Sequence, residues 1–343
     1  MPSAKAILRD VLLTTGRVPV FWPLLRTRAT IFMLHRFEVR DLAIAGHNPA
    51  GLRQALNALR KDGYQLVPLQ SLLEGLVARR ASARPMVAFT IDDGYFDHAA
   101  VAAPLFAEFD CPVTTFVTTG FLDGALWFWW DRIEYVFQAT THSRLSVPLE
   151  NGHLLYEWHH PGERLSAQRQ FTAWCKTLPE SAKSSAIDRL AQVAEVELPA
   201  SPPRRYAPMS WHDLRRCEGM TMTFGPHTVT HPVLSRTSHE QCRFELRESW
   251  ERLRAEAAHP LSIFCYPNGQ PGDFGTREIR ILKELGFLGA VSGVAGYAHG
   301  AAILNATDGM FQLRRFAYAE GLPQLLGIVS GVERLKQIVR RER

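Results

Sequence analysis

Cysteine is sparse and unorganised in this chain. Its five thiols, Cys111, Cys175, Cys217, Cys242 and Cys265, form no CxxC pair, and their number is odd. That argues against a disulfide framework and favours reduced packing residues of a cytoplasmic protein. A long apolar run is also missing. The apolar stretches 11–13 and 18–25 are parted by Arg17, and Pro19 and Pro23 break the second. Neither reads as a signal peptide or a membrane span. A short N-terminal helical segment, residues 1–30, is expected instead. Arg9, Arg17, Arg26 and Arg28 would form its basic side, which leaves peripheral contact at an inner membrane face open.

Charge of one sign is not in large excess. The formal net charge is +5, and Lys and Arg are interspersed with acids. That speaks against a nucleic-acid partner. No Gly-rich phosphate fingerprint follows an early strand, which disfavours an open nucleotide-binding fold. Internal repeats and low-complexity tracts are absent from the sequence.

What is present is a regular alternation. With 343 residues, 46% hydrophobic and 21% charged, the chain can bury a substantial core. Strand-like runs are predicted at 31–34, 64–67, 86–91, 112–117, 220–224, 261–266, 288–291 and 311–316. Helices are predicted at 49–60, 71–79, 99–109, 239–257 and 276–285. Such alternation predicts an α/β fold with a parallel sheet of about seven strands, open or closed into a barrel, spanning 31–320. Residues 121–208 break the rhythm. Trp127, Trp129 and Trp130 open that stretch, a hairpin turning at Asn151-Gly152 follows, and two polar helices come next. It reads as an inserted α+β segment. A closing amphipathic helix is expected within 321–343.

In parallel barrels chemistry gathers at the C-terminal ends of the strands. His35, Asp92, Asp93, His227 and Tyr266 all fall there. Two adjacent carboxylates at a buried strand end need a partner. Neighbouring residues on an extended backbone point opposite ways, so one aspartate can hold a cation while the other faces the substrate. His227 and His231, four apart, can grip the same ion. The second aspartate is then placed to take a proton from water. Taken singly, the aspartates could be loop caps and the imidazoles a chance pair.

The stretch Thr90-Ile91-Asp92-Asp93-Gly94 and the stretch His227-Thr228-Val229-Thr230-His231-Pro232 resemble the first two motifs of the polysaccharide deacetylase (NodB-homology) family. The resemblance runs, with the interruption, from about Ile31 to Phe316. It implies the closed form of the sheet, a distorted (β/α) barrel, and metal-dependent removal of N-acetyl groups from a sugar. Asp92 would be the general base, and Asp93, His227 and His231 the metal ligands. Zinc is the simplest choice for two imidazoles and one carboxylate, with cobalt, nickel or manganese as alternatives. Phe264-Cys265-Tyr266-Pro267-Asn268-Gly269 resembles the third motif and places Tyr266, Pro267 and Asn268 at the substrate.

Two departures stand out. Cys265 occupies the place where many members have arginine, and the family's late Leu-x-x-His is absent around Leu313–Phe316. Arg315 could replace the arginine, orienting Asp92 or contacting substrate. His35 is the first candidate for the acid that protonates the leaving amine, and His299 a weaker one. The three tryptophans could stack on sugar rings, although burial in a helix is the simpler expectation. The leading expectation is an N-deacetylase of a polysaccharide or lipid-linked glycan. The alternatives are a deformylase of a lipid-linked formamido sugar and a glycan-binding protein with impaired turnover.

Overall fold

In the computed structural model, residues 19–149, 152–306 and 308–341 are described. Two compact units are present: one comprises the chain up to Asp123 and from Pro208 onward, the other Gly124–Ala207.

The first unit is built on β1 (Arg28–Leu34), β2 (Gln65–Leu66), β3 (Met86–Asp93) and β4 (Val113–Val117), all before the insertion. Numbering β5 and β6 within the insertion, the unit resumes with β7 (Met222–Pro226), β8 (Ile263–Cys265), β9 (Gly289–Val291), β10 (Ala298–His299) and β11 (Phe316–Ala317). The main sheet runs β10-β1-β3-β4-β7, with β11 on β1 and β2 on β3. β1, β3, β4 and β7 are mutually parallel. Single parallel bridges carry the pattern further, Phe224 to Pro260 and Val291 to Leu313, with β8 and β9 paired between them. β11 then returns in parallel to β1. The ring is therefore closed, the form that the family resemblance implied and the alternation left open, but two of its seams are reduced to one bridge each. That is the distortion of the barrel.

Several expected elements differ. β10 pairs antiparallel with β1, so the sheet is mostly rather than wholly parallel. Of the strand predicted at 311–316, only Phe316–Ala317 is paired as a strand, because Gly309–Phe311 coils into a 3-10 turn. The helix predicted at 99–109 opens with a π turn, His98–Ala102, ahead of Ala103–Glu108. Pro104 lacks the N–H that a tight turn would direct at residue 100, and the wider turn accommodates it. The closing segment is two helices, Leu322–Val329 and Val332–Arg341, not one. Gly331 separates them at φ 95°, where a Cβ would meet the Phe21 carbonyl oxygen at 2.8 Å. Of the segment expected at 1–30, residues 1–18 lie outside the described residues, Pro19–Leu25 is a 3-10 helix, and β1 already starts at Arg28.

The barrel interior follows from strand periodicity. Ala88 packs in one buried cluster with Ile31, Ile263, Cys265, Val291 and Leu313. Residues two apart share a face, so Thr90 and Asp92 continue the Ala88 row toward the strand's C-terminal end, as Arg315 continues from Leu313. Apolar filling thus gives way to a polar layer at one end of the barrel.

The second unit holds the hairpin β5 (Arg144–Leu149) and β6 (Gly152–Glu157) and the helices Trp129–Ala139, Pro161–Cys175 and Glu180–Val193. The predicted turn residue Asn151 lies outside the described residues. Ile133, Val136, Phe137, Val147, Phe171, Ile187 and Leu190 give this unit its own apolar core.

Candidate active site

β3 is buried along its whole length, and its last two residues are the aspartates. Asp92 is 3% exposed and Asp93 5%. Strand alternation would turn Asp93 away from the barrel axis. Instead its φ of 88° leaves the strand region, and Gly94 follows at φ 97°. This sparsely populated backbone at the β3 terminus re-aims Asp93, and strain of that kind is held only where the surroundings over-determine it.

His227 comes directly after β7 and is anchored by its backbone N–H to Val117 O at 2.9 Å. Two further non-glycine residues of the loop have positive φ, Thr228 at 68° and His231 at 59°. The loop is clamped from two sides. Thr119 and Gly120 donate to the carbonyls of Thr228 and Val229, both at 3.0 Å. A Cβ at Gly120 would lie 2.5 Å from the Val229 carbonyl oxygen, so glycine permits that approach. From the helix His239–Glu256, the fully buried Glu245 accepts from Val229 N at 2.8 Å, Thr230 N at 2.9 Å and Thr230 Oγ1 at 2.6 Å.

The loop delivers both imidazoles to Asp93. Nε2 of His227 lies 3.7 Å and Nε2 of His231 3.5 Å from Asp93 Oδ1. Ligand atoms placed tetrahedrally on zinc at its usual nitrogen and oxygen distances stand about 3.4 Å apart, so the three fit one small divalent cation. His227 Nδ1 lies 2.7 Å from the Cys265 carbonyl oxygen. A carbonyl only accepts, so the proton sits on Nδ1 and Nε2 keeps its lone pair toward Asp93. Burial is the main cause that lowers the His227 pKa from 6.5 to about 4, against the opposing pull of Asp92 and the carbonyl. The His231 pKa is pushed well down by burial and then by His227. Both imidazoles are therefore neutral near pH 7 and able to ligate.

A second group of potential ligands, Asp92, His227 and Cys265, lies close by. It suits a cation poorly. Arg315 donates from Nη1 to Asp92 Oδ1 and from Nη2 to Oδ2, both at 2.7 Å. The same Nη2 is 3.2 Å from Cys265 Sγ, and Nε donates to the Ser292 carbonyl at 2.9 Å. Burial raises the Cys265 pKa well above its usual value, so the residue stays a thiol. Burial also opposes the ionisation of Asp92, but the Arg315 charge and hydrogen bonds outweigh it and hold the carboxyl below its usual range.

The polysaccharide deacetylase family profile matches residues 191–290, a stretch that holds both imidazoles and the 264–269 segment. The fold points the same way. The deacetylase PplD of Streptococcus pyogenes, solved with acetate, superposes with a TM-score of 0.57 at 17% identity, covering 89% of this chain and 99% of that one. IcaB of Ammonifex degensii gives 0.54 at 14% identity, covering 89% and 97%. The BpsB deacetylase domain of Bordetella bronchiseptica gives 0.52 at 14%, covering 85% and 96%. No curated protein sequence matches the chain.

Residues 191–290 thus resemble the polysaccharide deacetylase family, and the chain shares its fold with solved deacetylases.

Against this deacetylase frame, several residues read from sequence fall elsewhere. Tyr266 is 1% exposed and stacks flat on Phe274 at 3.8 Å, so it is a core residue with no route to substrate. Pro267 is buried too, and only Asn268 of that trio is exposed, at φ 58°. Arg315 is 1% exposed and spends its guanidinium on protein groups; it orients Asp92 and does not contact substrate. His35 closes β1 and is solvent-exposed at the rim. Desolvation lowers its pKa, Asp92 opposes this, and Arg315 and His47 add to it. His299 pairs with Arg28 at the opposite end of β1 from Leu34, a rise of roughly 20 Å. That removes it from the acid role.

The tryptophans are half-buried within the inserted unit. Trp130 stacks on Phe128 at 4.4 Å, Trp129 lies under Lys183 at 4.7 Å, and Trp127 meets Tyr135 at 5.5 Å. Glu245 was not singled out from the sequence. Its signal was there: it sits on the stripe Cys242, Leu246, Ser249 and Leu253, a charge on the buried face of a helix.

Proposed function

We propose that the protein is a divalent-metal-dependent deacetylase that hydrolyses the N-acetyl group of an N-acetylated sugar in a glycan. The observation that carries this reading is the convergence of Asp93, His227 and His231 with a second, separately oriented carboxylate, Asp92, beside them. A cation held by the three, zinc being the simplest match to that donor set, would supply Lewis acidity toward an amide carbonyl and make a nearby water more acidic.

The chain's own residues do the rest. Asp92 is ionised and fixed. Arg315 donates to each of its oxygens, and Oδ2 also accepts from the Cys265 thiol at 3.5 Å, so Oδ1 is the oxygen that keeps a lone-pair direction to accept a proton from water. The Thr90 hydroxyl, itself donating to Phe32 O at 2.8 Å, receives Arg315 Nη1 at 3.0 Å and braces the pair from below. The exposed imidazole of His35 stands at the rim where an amine would leave and is the proposed acid. Its backbone is held by His98 Nε2, 2.6 Å from the His35 carbonyl oxygen. The reading of impaired turnover rests on two absences, the arginine at position 265 and the late acid histidine. Arg315, just before β11, supports the active reading by supplying a guanidinium to Asp92.

No described helix is long and apolar enough to cross a membrane. A lipid-linked glycan and a peripheral position at the inner membrane face remain part of the proposal for the substrate's source.

The test is acetate release from N-acetylglucosamine oligomers. We expect release that a chelator stops and zinc restores, and that His231→Ala abolishes while the protein stays folded. Undiminished release from folded His231→Ala protein would overturn the reading.

A further inference from the structure

At the end of the barrel opposite the aspartates, a cavity of about 570 Å³ is lined by Arg28, His299, Arg314, Arg334, Gln312 and Gln337, with Tyr297 and Ile303 among its apolar wall residues. The volume lies within the roughly 300–1,000 Å³ usual for small-molecule sites. The three arginines come from three separate elements: the start of β1, the approach to β11 and the helix Val332–Arg341.

No carboxylate side chain lines the cavity among the described residues. Glu333 acts on the lining residue Tyr297 but is paired with Lys336 at 3.2 Å, and Asp308, which precedes the lining residue Gly309, is paired with Lys283 at 2.6 Å. Among the described residues Arg314 is held by the Ala295 carbonyl at 3.4 Å and Arg334 by Gln337 Oε1 at 3.4 Å, both long contacts. These two guanidiniums therefore keep donors for a ligand. Gly296 is part of the design. Its φ is 151°, and a Cβ there would stand 2.8 Å from Arg314 Cδ, so the bare backbone lets the arginine lie close against the wall. The positive field is felt locally: after desolvation, Arg28 and Arg334 are the causes that lower the His299 pKa.

We propose that this cavity is a second binding site, distinct from the deacetylase centre, for an organic phosphate or diphosphate. Planar guanidinium forks match phosphate oxygens two at a time. Several arginines around a space too large for one phosphate ion suit a diphosphate, or a phosphate carrying an organic group. The same chemistry could be offered by a soluble phosphate ester or by a lipid headgroup. The inference stands on the cavity alone and does not depend on the acetyl-releasing reaction.

The experiment is calorimetric titration of the full-length, metal-loaded protein with inorganic pyrophosphate. Binding is expected, weakened about tenfold for each arginine removed in Arg314→Gln and Arg334→Gln. Both residues reach solvent, so the variants should fold, and their acetate release should be unchanged. Asp93→Asn, which disables the metal centre, should leave pyrophosphate binding intact. Sedimentation with phosphatidylcholine vesicles containing phosphatidic acid separates the sources. Arginine-dependent co-sedimentation assigns a lipid headgroup, and titration without co-sedimentation assigns a soluble ester. No pyrophosphate binding to wild-type protein, or binding that Asp93→Asn abolishes and the arginine variants keep, overturns the proposal.

Discussion

Arg315 and Asp92 meet as a two-point ion pair, Nη1 and Nη2 each 2.7 Å from a different carboxylate oxygen, with both side chains sealed from solvent. A buried pair of this geometry need not stabilise the fold relative to apolar residues, but breaking it leaves one charge stranded. Arg315→Met is accordingly expected to cost about 3–5 kcal/mol in a chemical denaturation series. Arg315→Lys should recover part of that loss, because a point charge replaces a fork. A loss within experimental error for Arg315→Met would show that Asp92 does not depend on it.

Cys265 lies 3.2 Å from the same guanidinium. Cys265→Arg alone should therefore be strongly destabilised, by about 3 kcal/mol or more, since a second cation is added where one carboxylate is already satisfied. Combining it with Arg315→Met should restore a good part of the stability, with the new arginine taking over Asp92. Additive losses in the double variant would contradict this exchange of roles; a double-mutant cycle measures it.

Glu245 touches no reacting group. It holds the backbone that carries both imidazoles, through Val229, Thr230 and a further bond from Gln241 Nε2 at 3.0 Å. Glu245→Ala would leave two inward amides without their acceptor. Metal affinity, read by competition with a chromophoric chelator, should fall about 10–100-fold, as it does when the partners of ligating side chains are removed. Glu245→Gln keeps an acceptor for those amides and should lose less. Equal affinity in Glu245→Ala and wild type would refute the positioning role.

His98 is fully buried beside Tyr95 and Phe37, and burial is the main cause that lowers its pKa from 6.5 to about 4. Between those values the unfolded chain takes up a proton that the native state refuses. Stability should thus be full above about pH 6.5 and decline as pH falls toward 4, with His98 contributing up to about 3 kcal/mol of the decline. His98→Gln should flatten that part of the stability profile, measured by urea unfolding at successive pH values.

The sequence made the α/β alternation and the candidate site legible for the same reason: both are written in short local patterns. Met86–Ile91 is an unbroken apolar run ending in two acids, and His227 and His231 sit four apart just past another strand. What could not be read is what depends on the ring closing. Tyr266 follows β8 directly, yet its side chain packs into the core around Phe274. Arg315 belongs to a stretch of which only two residues pair as a strand, and its inward aim comes from its parity with Leu313. Antiparallel β10 is two residues long and carries no periodic signal, so His299 could not be placed at the far end of β1. The positive φ at Asp93 and His231 is likewise tertiary: both residue types tolerate it, but which positions adopt it is set by the surrounding strands and by Glu245.

The claim on which all of this rests is that Asp93, His227 and His231 share one cation. Its most direct test is the metal content of purified protein by plasma mass spectrometry after dialysis against zinc and then buffer. About one divalent ion per chain is predicted for the wild type, and a large loss for folded His231→Ala and Asp93→Asn proteins. Stoichiometric metal that survives both substitutions would contradict the account.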